Sequence, residues 1–488
     1  MNKPIRTISI FCLLLFLALM VNATYLQYVA SGDLNDNPRN RRIIEAAFSR
    51  ERGAILVGRD PIAESVPSDD RYDVQRVYPQ PLKYAPVTGA FSYFSQTGIE
   101  RSQNAVLSGD DDRLFVTRLV DLVGNAEPKG GSVQLTIDGA AQTAAYDGLS
   151  GLGADVEGAV VALEPATGKI LAMVSTPSYD PNQLAAHDLD EVVQASRRLE
   201  DDEAEPLINR TIQTTLPPGS TMKLVTAAAV LEDGNYATGD ALVPGGDTYQ
   251  LPLTSDENGL IDNGGRDCGT KKITLTQALA NSCNTSFLAL ADEIGIEKLK
   301  AQADAFGFNS DYLEDLPLQA ESRFPGDLDR PQTAMSGIGQ SEVAATPLQM
   351  AMVGAGIANG GIVMRPYIVD EVTSPEVEVL DKTEPSELSK AMEPATAAEL
   401  TRMMVATVTS GTATSAQIPG LEVAGKTGTA QSTPSRPPYA WFVSFAPAID
   451  PQVAVCVLVQ ASSTPREDIG GNFLGAPIAK SVMEAVLR

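Results

Sequence analysis

The sequence is organised around residues 216–223, Leu-Pro-Pro-Gly-Ser-Thr-Met-Lys, and the apolar run 224–231 that follows them. The two prolines and the glycine disfavour a helix, whereas the residues after them favour one up to a stop at 233–234. Ser220 is therefore predicted at the first turn of a helix. Lys223 lies one turn further along, on the same face.

Ser220 at this position has two interpretations. A serine at a helix start is commonly an N-cap that accepts hydrogen bonds from free backbone N–H groups. A capping box, however, prefers Glu or Gln three residues later, and here that residue is Lys223. The helix dipole and burial against an apolar helix both lower the pKa of a lysine placed there. A partly neutral lysine beside a serine hydroxyl is a base beside a nucleophile, which predicts acyl-transfer chemistry.

Charge and histidine content exclude several classes of function. The 488 residues have a net charge of −26 and a pI near 4.4, so the phosphates of nucleic acid would be repelled. The one histidine, His187, lies in an acidic stretch, and metal sites built from several histidines are excluded. No cofactor is expected. A Ser-His-Asp triad would depend on His187 alone, which favours lysine as the catalytic base.

The N-terminus contains a membrane signal. Lys3 and Arg6 precede residues 8–29, which are mostly apolar and number about 20, enough to span a bilayer. A cleaved signal peptide and an uncleaved anchor both fit, and the length favours the anchor. We expect residues 1–6 in the cytoplasm and a single membrane pass over 7–29, with the catalytic part outside the cell membrane.

Export permits disulfide bonds. Cys12 lies in the apolar segment and Cys456 in a predicted buried strand, which leaves Cys268 and Cys283. We predict that these two are bridged, a link that the loop-entropy model values at about 3 kcal/mol. The alternative is two reduced thiols.

The remaining chain divides into two predicted domains. Residues 30–155 show short alternations and many turns, which predict an irregular α+β module without chemistry of its own. Residues 156–488 contain a β-hairpin over 158–174 and three strands within 421–460, with helices between them and a polar surface excursion over 185–205. This order predicts an α/β (α+β) domain in which helices flank one sheet.

Three short elements of the second domain have chemically useful side chains. They are Ser220-x-x-Lys223, Ser282-Cys283-Asn284 and Lys426-Thr427-Gly428-Thr429. The first supplies a nucleophile and a base, and the Ser220 N–H helps to hold an oxyanion. Ser282 can relay a proton to a leaving amine, and Asn284 can hold a substrate amide. The pattern of the second element recurs at Ser102-Gln103-Asn104, which we interpret as accidental.

The third element is predicted to bind a substrate carboxylate. Lys426 and the hydroxyls of Thr427 and Thr429 are suitable donors for that group. Gly428 leaves room for a ligand along the strand edge. Each element alone has a structural explanation, namely a capping serine, a turn serine and a strand-end lysine. Together in an exported chain they predict a serine acyltransferase.

The three elements resemble the signature of the penicillin-recognising serine transferases. Further matches make the chain similar to class B penicillin-binding proteins, most closely the actinobacterial penicillin-binding protein A group. They are Arg52-Gly53-Ala54-Ile55, Thr136-Ile137-Asp138, Gly337-Ile338-Gly339-Gln340 and Ala345-Thr346-Pro347-Leu348-Gln349. One departure is Gly58 before Arg59, where many relatives have Asp.

The resemblance implies a serine β-lactamase-like fold with a mainly antiparallel five-stranded sheet, on an N-terminal pedestal. It also implies a DD-transpeptidase that cross-links peptidoglycan stem peptides. Ser220 would form the acyl-enzyme and would be trapped by β-lactams, with the Thr429 N–H in the oxyanion hole. Because the first module is too short for a glycosyltransferase, a membrane glycosyltransferase of the growth and division machinery is the implied partner.

Three alternatives remain at this point. A serine β-lactamase shares the motifs but would be shorter and would hydrolyse its acyl-enzyme quickly. A β-lactam sensor would need a cytoplasmic signalling segment, and few residues precede the predicted anchor. A non-catalytic scaffold of a wall-building complex would not require Ser220, Lys223 and Lys426.

Overall fold

The computed structural model describes residues 3–30, 45, 48–114, 129–316, 318–431 and 436–488. Parts of the predicted tail and first module, and residues 432–435 of a predicted loop, lie outside them. Helix Lys3–Thr24 continues into a π-helical turn, Tyr25–Val29, and neither element has buried residues. It is long and apolar enough to cross a membrane, which is compatible with a single-pass anchor.

A five-stranded antiparallel sheet forms the centre of the second domain, which confirms the predicted fold class. In spatial order its strands are Ala424–Ala430, Tyr439–Ala446, Val453–Ala461, Glu157–Leu163 and Ile170–Thr176. The strands are apolar along nearly their whole length because both faces are covered. Alternate residues enter different cores, so that Val160 and Val455 lie in one and Val161 and Cys456 in the other.

Helices cover each face of this sheet. Gly139–Ser150 and Ala476–Val486 pack against each other and share the core of Val160. On the opposite face Pro347–Ala358 lies against the strands and shares its core with the Lys223 helix, Lys223–Glu232. The other helices of this part are Leu189–Glu200, Arg210–Gln213, Leu275–Ala280, Asn284–Ala305, Arg330–Ser336 and Pro394–Thr409.

Three two-stranded ribbons complete the second domain. They pair Leu242–Pro244 with Lys272–Thr274, Thr248–Gln250 with Leu260–Asp262, and Ile362–Met364 with Glu387–Lys390. The second ribbon brings residues 260–262 to the cavity described below.

The first module contains a six-stranded sheet with helices Pro81–Thr88, Gly98–Ser102 and Asn104–Leu107 beside it. Its strand order is Val379–Lys382, Val369–Thr373, Ser132–Leu135, Ile55–Val57, Asp60–Pro67 and Val74–Val77. Two of these strands come from far beyond residue 155, while helix Gly139–Ser150, before that residue, packs on the other sheet. The predicted boundary between residues 155 and 156 therefore does not coincide with a separation between packed units.

A buried ion cluster joins the elements of the first module. Glu100 is fully buried and accepts hydrogen bonds from Arg52 at 2.8 Å and Arg76 at 2.6 Å. Burial alone would raise the pKa of Glu100, but the positive charges of Arg76 and Arg52 outweigh it and lower the pKa. The carboxylate is therefore held in its charged form between the two guanidinium groups.

The polar stretch 185–205 is not only a surface excursion, because it contains an amphipathic helix, Leu189–Glu200, with Val192 buried. Asp188 caps this helix by accepting from two backbone N–H groups. His187, next to it, pairs with Asp70 and packs its ring 4.7 Å from that of Tyr72. The histidine does not line the cavity described below.

Candidate active site

Ser220 lies in a single 3₁₀ turn, Gly219–Met222, that leads directly into the Lys223 helix. Gly219 has a φ of 53°, and its N–H donates to the Gly339 carbonyl at 3.1 Å, which holds the turn in place. The N-cap positions of this turn and of the helix are Pro218 and Met222, so Ser220 is not an N-cap residue and the capping interpretation is wrong. Its partly exposed side chain lines a cavity of about 410 Å³.

Lys223 is completely buried, and its Nζ donates to three acceptors on the neighbouring motif. They are the Ser282 carbonyl at 2.8 Å, the Asn284 Oδ1 at 2.8 Å and the Ser282 Oγ at 3.3 Å. Burial lowers the pKa of Lys223 well below its usual value, and the positive charges of Lys426 and Arg266 lower it further. In the described part of the chain the Lys223 ammonium thus bonds to the Ser282 motif, and no direct bond joins it to Ser220.

Ser282 lies between two lysines. Its Oγ is 3.3 Å from the Lys223 Nζ and 2.9 Å from the Lys426 Nζ. The residue has a φ of 58°, a left-handed conformation that is unfavourable for a serine and must be held by its surroundings. A disulfide between Cys268 and Cys283 anchors the adjacent residue, as predicted, with the two Cα atoms 5.8 Å apart.

Asn284 connects the motif to a loop on the other side. Its Oδ1 accepts from Lys223, and its Nδ2 donates to the Asp262 carbonyl at 2.9 Å. An amide has two donor hydrogens and two acceptor lone pairs, so one of each remains for a ligand. Because Asn284 also lines the cavity, it is able to bind a substrate amide there.

The Lys426 strand, Ala424–Ala430, is the edge strand of the five-stranded sheet. Burial lowers the pKa of Lys426 well below its usual value, and Arg266 contributes to the same effect. Its Nζ donates to the Ser282 Oγ and to the Thr427 carbonyl at 2.8 Å, and it does not reach the cavity surface. Thr427 and Thr429 do line the cavity, so they are the residues of this element that a ligand in the cavity can contact.

Gly428 is buried and faces the protein rather than a ligand. A Cβ there would lie 2.9 Å from the Thr221 Cγ2 and from the Trp441 Cβ, and 3.1 Å from the Pro218 carbonyl. The glycine therefore lets the turn that holds Ser220 pack directly on the Lys426 strand. This close approach replaces the predicted role of leaving room for a ligand.

The structure brings all three predicted elements to one cavity and separates them from the accidental match. Asn104 of the Ser102-Gln103-Asn104 stretch accepts a hydrogen bond from Arg52 in the first module. Sequence reasoning missed Arg266 and Asp262, which line the cavity beside Ser282. The signal that could have found them is the predicted disulfide, since Cys268 follows Arg266 by two positions and Cys283 follows Ser282 by one.

Comparison with known proteins agrees with this arrangement. The penicillin binding protein transpeptidase domain matches residues 158–484, and the penicillin binding protein A dimerisation domain matches residues 52–133. The chain is similar to peptidoglycan D,D-transpeptidase PbpA of Mycolicibacterium smegmatis, with 44% identity over 100% of this chain and 99% of the relative. It is 42% identical to PbpA of Mycobacterium tuberculosis, with the same coverage. A solved ceftriaxone acyl-enzyme complex of M. tuberculosis penicillin-binding protein A has a TM-score of 0.85, at 42% identity, over 91% of this chain and 100% of that one.

Fold and site together define a penicillin-binding enzyme of the serine acyltransferase type. The chain belongs to the penicillin-binding protein transpeptidase family, as a class B member of the penicillin-binding protein A group. The predicted resemblance is thereby confirmed along the whole chain.

Proposed function

We propose that this protein is a peptidoglycan D,D-transpeptidase that cross-links stem peptides through an acyl-Ser220 intermediate and is acylated there by β-lactams. One observation supports this most strongly: the Ser282 hydroxyl lies between the Nζ atoms of Lys223 and Lys426, next to the cavity that Ser220 lines. A nucleophile and a proton relay that meet at one cavity are what acyl transfer without histidine requires.

In the acylation step, the Ser220 Oγ bonds to the carbonyl carbon of the penultimate D-Ala. The C–N bond to the terminal D-Ala then breaks. Lys223 takes the hydroxyl proton, because burial and nearby positive charges lower its pKa and make the neutral amine accessible. Ser282, bonded to Lys223, passes a proton to the leaving amine. The backbone N–H groups of Ser220 and Thr429 stabilise the oxyanion.

In the second step, an amine from a neighbouring stem peptide attacks the acyl carbon. The bond from that carbon to the Ser220 Oγ breaks, and the proton lost by the amine returns to Ser220. Thr427 and Thr429 bind the terminal carboxylate of the donor, and Asn284 binds an amide of its backbone. Lys426 is buried beneath the cavity surface, where it holds Ser282 in place by a hydrogen bond and contributes positive charge.

The membrane arrangement is part of the same proposal. Lys3 and Arg6 place the start of the N-terminal helix on the cytoplasmic side, with the catalytic domain on the outer side of the cell membrane. A membrane glycosyltransferase supplies the glycan strands, and the first module is the surface available for docking it. Degradation of the catalytic domain by protease added to intact spheroplasts would test the orientation, and cross-linking from the first module would test the partner.

The central experiment is mass spectrometry of the intact protein after exposure to benzylpenicillin. We expect one adduct on the wild type, mapped to Ser220, and none on Ser220→Ala. The matched control is Ser102→Ala, which alters the accidental motif and should label like the wild type. An adduct on another residue would contradict the proposal. Rapid loss of the adduct would instead indicate a β-lactamase, and normal cross-linking in cells that contain only Ser220→Ala would indicate a scaffold.

A further inference from the structure

A cationic side chain to which the mechanism assigns no contact with substrate lines the Ser220 cavity. Arg266 lies in the loop 263–271, which follows strand Leu260–Asp262 and precedes Ser282 in sequence, and its partly exposed side chain lines the cavity. Among the residues that line this cavity it is the one with a positive charge.

The loop that contains Arg266 is firmly attached to the Ser282 motif. The Asn281 Nδ2 donates to the Asp267 carbonyl at 2.8 Å, and the Asn263 Oδ1 accepts from the Thr285 N–H at 3.0 Å. The disulfide Cys268–Cys283 and the bond from Asn284 to Asp262 add two further links. A guanidinium on so constrained a loop is preorganised for a ligand.

Most of the hydrogen-bonding capacity of Arg266 is unused. Its Nε donates to the Asn263 carbonyl, while no other side-chain hydrogen bond and no ion pair joins the guanidinium to the described residues. Asp262 is close enough to attract it electrostatically but does not pair with it. The two terminal nitrogens are thus available to a carboxylate in the paired geometry that arginine favours.

The two other cations of the site cannot serve this purpose. Lys223 and Lys426 are fully buried, and their ammonium groups donate to Ser282, Asn284 and the Thr427 carbonyl. The terminal carboxylate of a donor peptide is assigned to the threonines of the Lys426 strand. Arg266 belongs to a different segment, in which the Asp262 carbonyl accepts a hydrogen bond from Asn284. Because Asn284 is assigned to a backbone amide of the donor, the peptide upstream of the cleaved bond would lie on the side of Arg266.

We propose that Arg266 is a specificity-determining residue that binds a second carboxylate, located on the stem peptide upstream of the D-Ala-D-Ala end, and so discriminates it from the corresponding carboxamide. This inference rests on the proposed transpeptidase function. The ligand class is a peptide with a side-chain carboxylate, or a β-lactam with a carboxylate on its acylamino side chain.

Two penicillins test this inference directly. Benzylpenicillin and carbenicillin differ by one carboxylate on the side chain, and the ratio of their acylation rate constants is measured for each variant. We expect Arg266→Gln to reduce the relative rate for carbenicillin about tenfold, because a charge-assisted hydrogen bond is lost. Arg266→Lys should recover part of it. Arg323→Gln, an exposed arginine outside the cavity, is the matched control.

The ratio is formed within one protein preparation, so a partly inactive variant does not change it. A second measurement uses pentapeptides that end in D-Ala-D-Ala and have either a carboxylate or a carboxamide on the third side chain. In the wild type, the carboxylate peptide should protect Ser220 from benzylpenicillin better than the carboxamide peptide does. In Arg266→Gln, the two peptides should protect Ser220 equally well. If the ratio of the carbenicillin to the benzylpenicillin rate constant were the same in the wild type and in Arg266→Gln, the inference would be overturned. Absence of any Ser220 adduct in the wild type would instead overturn the proposed function.

Discussion

The Lys426 ammonium donates to the Ser282 hydroxyl at 2.9 Å, across a sequence separation of 144 residues. Lys223 approaches the same hydroxyl from the other side, so two buried amino groups share one small acceptor. Burial is the main reason why the pKa of Lys223 is low, and the positive charge of Lys426 lowers it further. Lys426, on the edge strand of the sheet, therefore lowers the pKa of a base on a helix, although no hydrogen bond joins the two lysines.

Replacement of Lys426 by Gln tests this electrostatic connection. Loss of the positive charge raises the pKa of Lys223, so less of it is neutral at a given pH. The ascending limb of the acylation rate against pH should move to higher pH, and the maximal rate should fall roughly a hundredfold. The measurement is the benzylpenicillin acylation rate across a pH series. A lower rate with an unchanged pH profile would show that Lys426 does not influence Lys223.

Removal of the disulfide tests how the left-handed backbone of Ser282 is held. We expect the double variant Cys268→Ser, Cys283→Ser to lose about 3 kcal/mol of unfolding free energy. It should also acylate more slowly, because Ser282 is less well positioned. Urea unfolding and acylation rates measure the two effects. Cys12→Ser, which removes a thiol from the N-terminal helix, should leave both quantities unchanged.

Gly428→Ala tests the contact between the Ser220 turn and the Lys426 strand. The added methyl group would meet Thr221 and Trp441 at 2.9 Å, so the turn must shift away from the strand. We expect acylation to slow roughly a hundredfold, since small displacements of a nucleophile are costly. Gly139→Ala is the control, because its Cβ would find the nearest atom at an ordinary 3.7 Å. Equal rates for the two variants would exclude a positioning role for Gly428.

Glu100→Gln should destabilise the protein by about 3–5 kcal/mol at neutral pH, because Arg52 and Arg76 lose their buried counter-charge. The pKa of Glu100 is lowered in the folded state, so its contribution is complete above the unfolded-state pKa and is lost as pH falls through the folded-state value. The difference between variant and wild type in urea unfolding should therefore shrink in acid.

Two controls accompany the Glu100 variant. Glu342→Gln removes an exposed partner of Arg323, and we expect it to change stability by only about 0–1 kcal/mol. Acylation of Ser220 in folded Glu100→Gln should match the wild type, since the cluster lies in the first module. A stability loss that persists undiminished at low pH would contradict the ionised state of Glu100.

Much of the fold and site could be predicted because the signals are local. The proline and glycine before Ser220 determine where its helix starts, and the apolar strands within 421–460 are long enough to indicate buried strands. The disulfide followed from elimination among four cysteines in an exported chain. Each motif alone had a structural explanation, and the chemistry was indicated only by the joint occurrence of Ser220-x-x-Lys223, Ser282-Cys283-Asn284 and Lys426-Thr427-Gly428-Thr429 in an exported chain.

The remaining features depend on contacts between distant segments. The direction of Lys426, inward to Ser282 instead of outward to a ligand, depends on the side of the strand that faces the Lys223 helix. Arg266 occupies a polar loop whose sequence does not show where it folds. Val379–Lys382 is mostly exposed and only four residues long, so its pairing with the sheet of the first module has no local signal.

The strand Val369–Thr373, inserted in the sheet of the first module, has a consequence for biogenesis. The Thr136 hydroxyl and the Ile368 carbonyl that bond at this junction are separated by 232 residues. During synthesis the pedestal therefore cannot close its sheet until most of the catalytic domain has been made. A chain truncated before Val369 would leave the edge of Ser132–Leu135 open to pairing with other chains, which makes translation of that distant strand a condition of solubility for the pedestal.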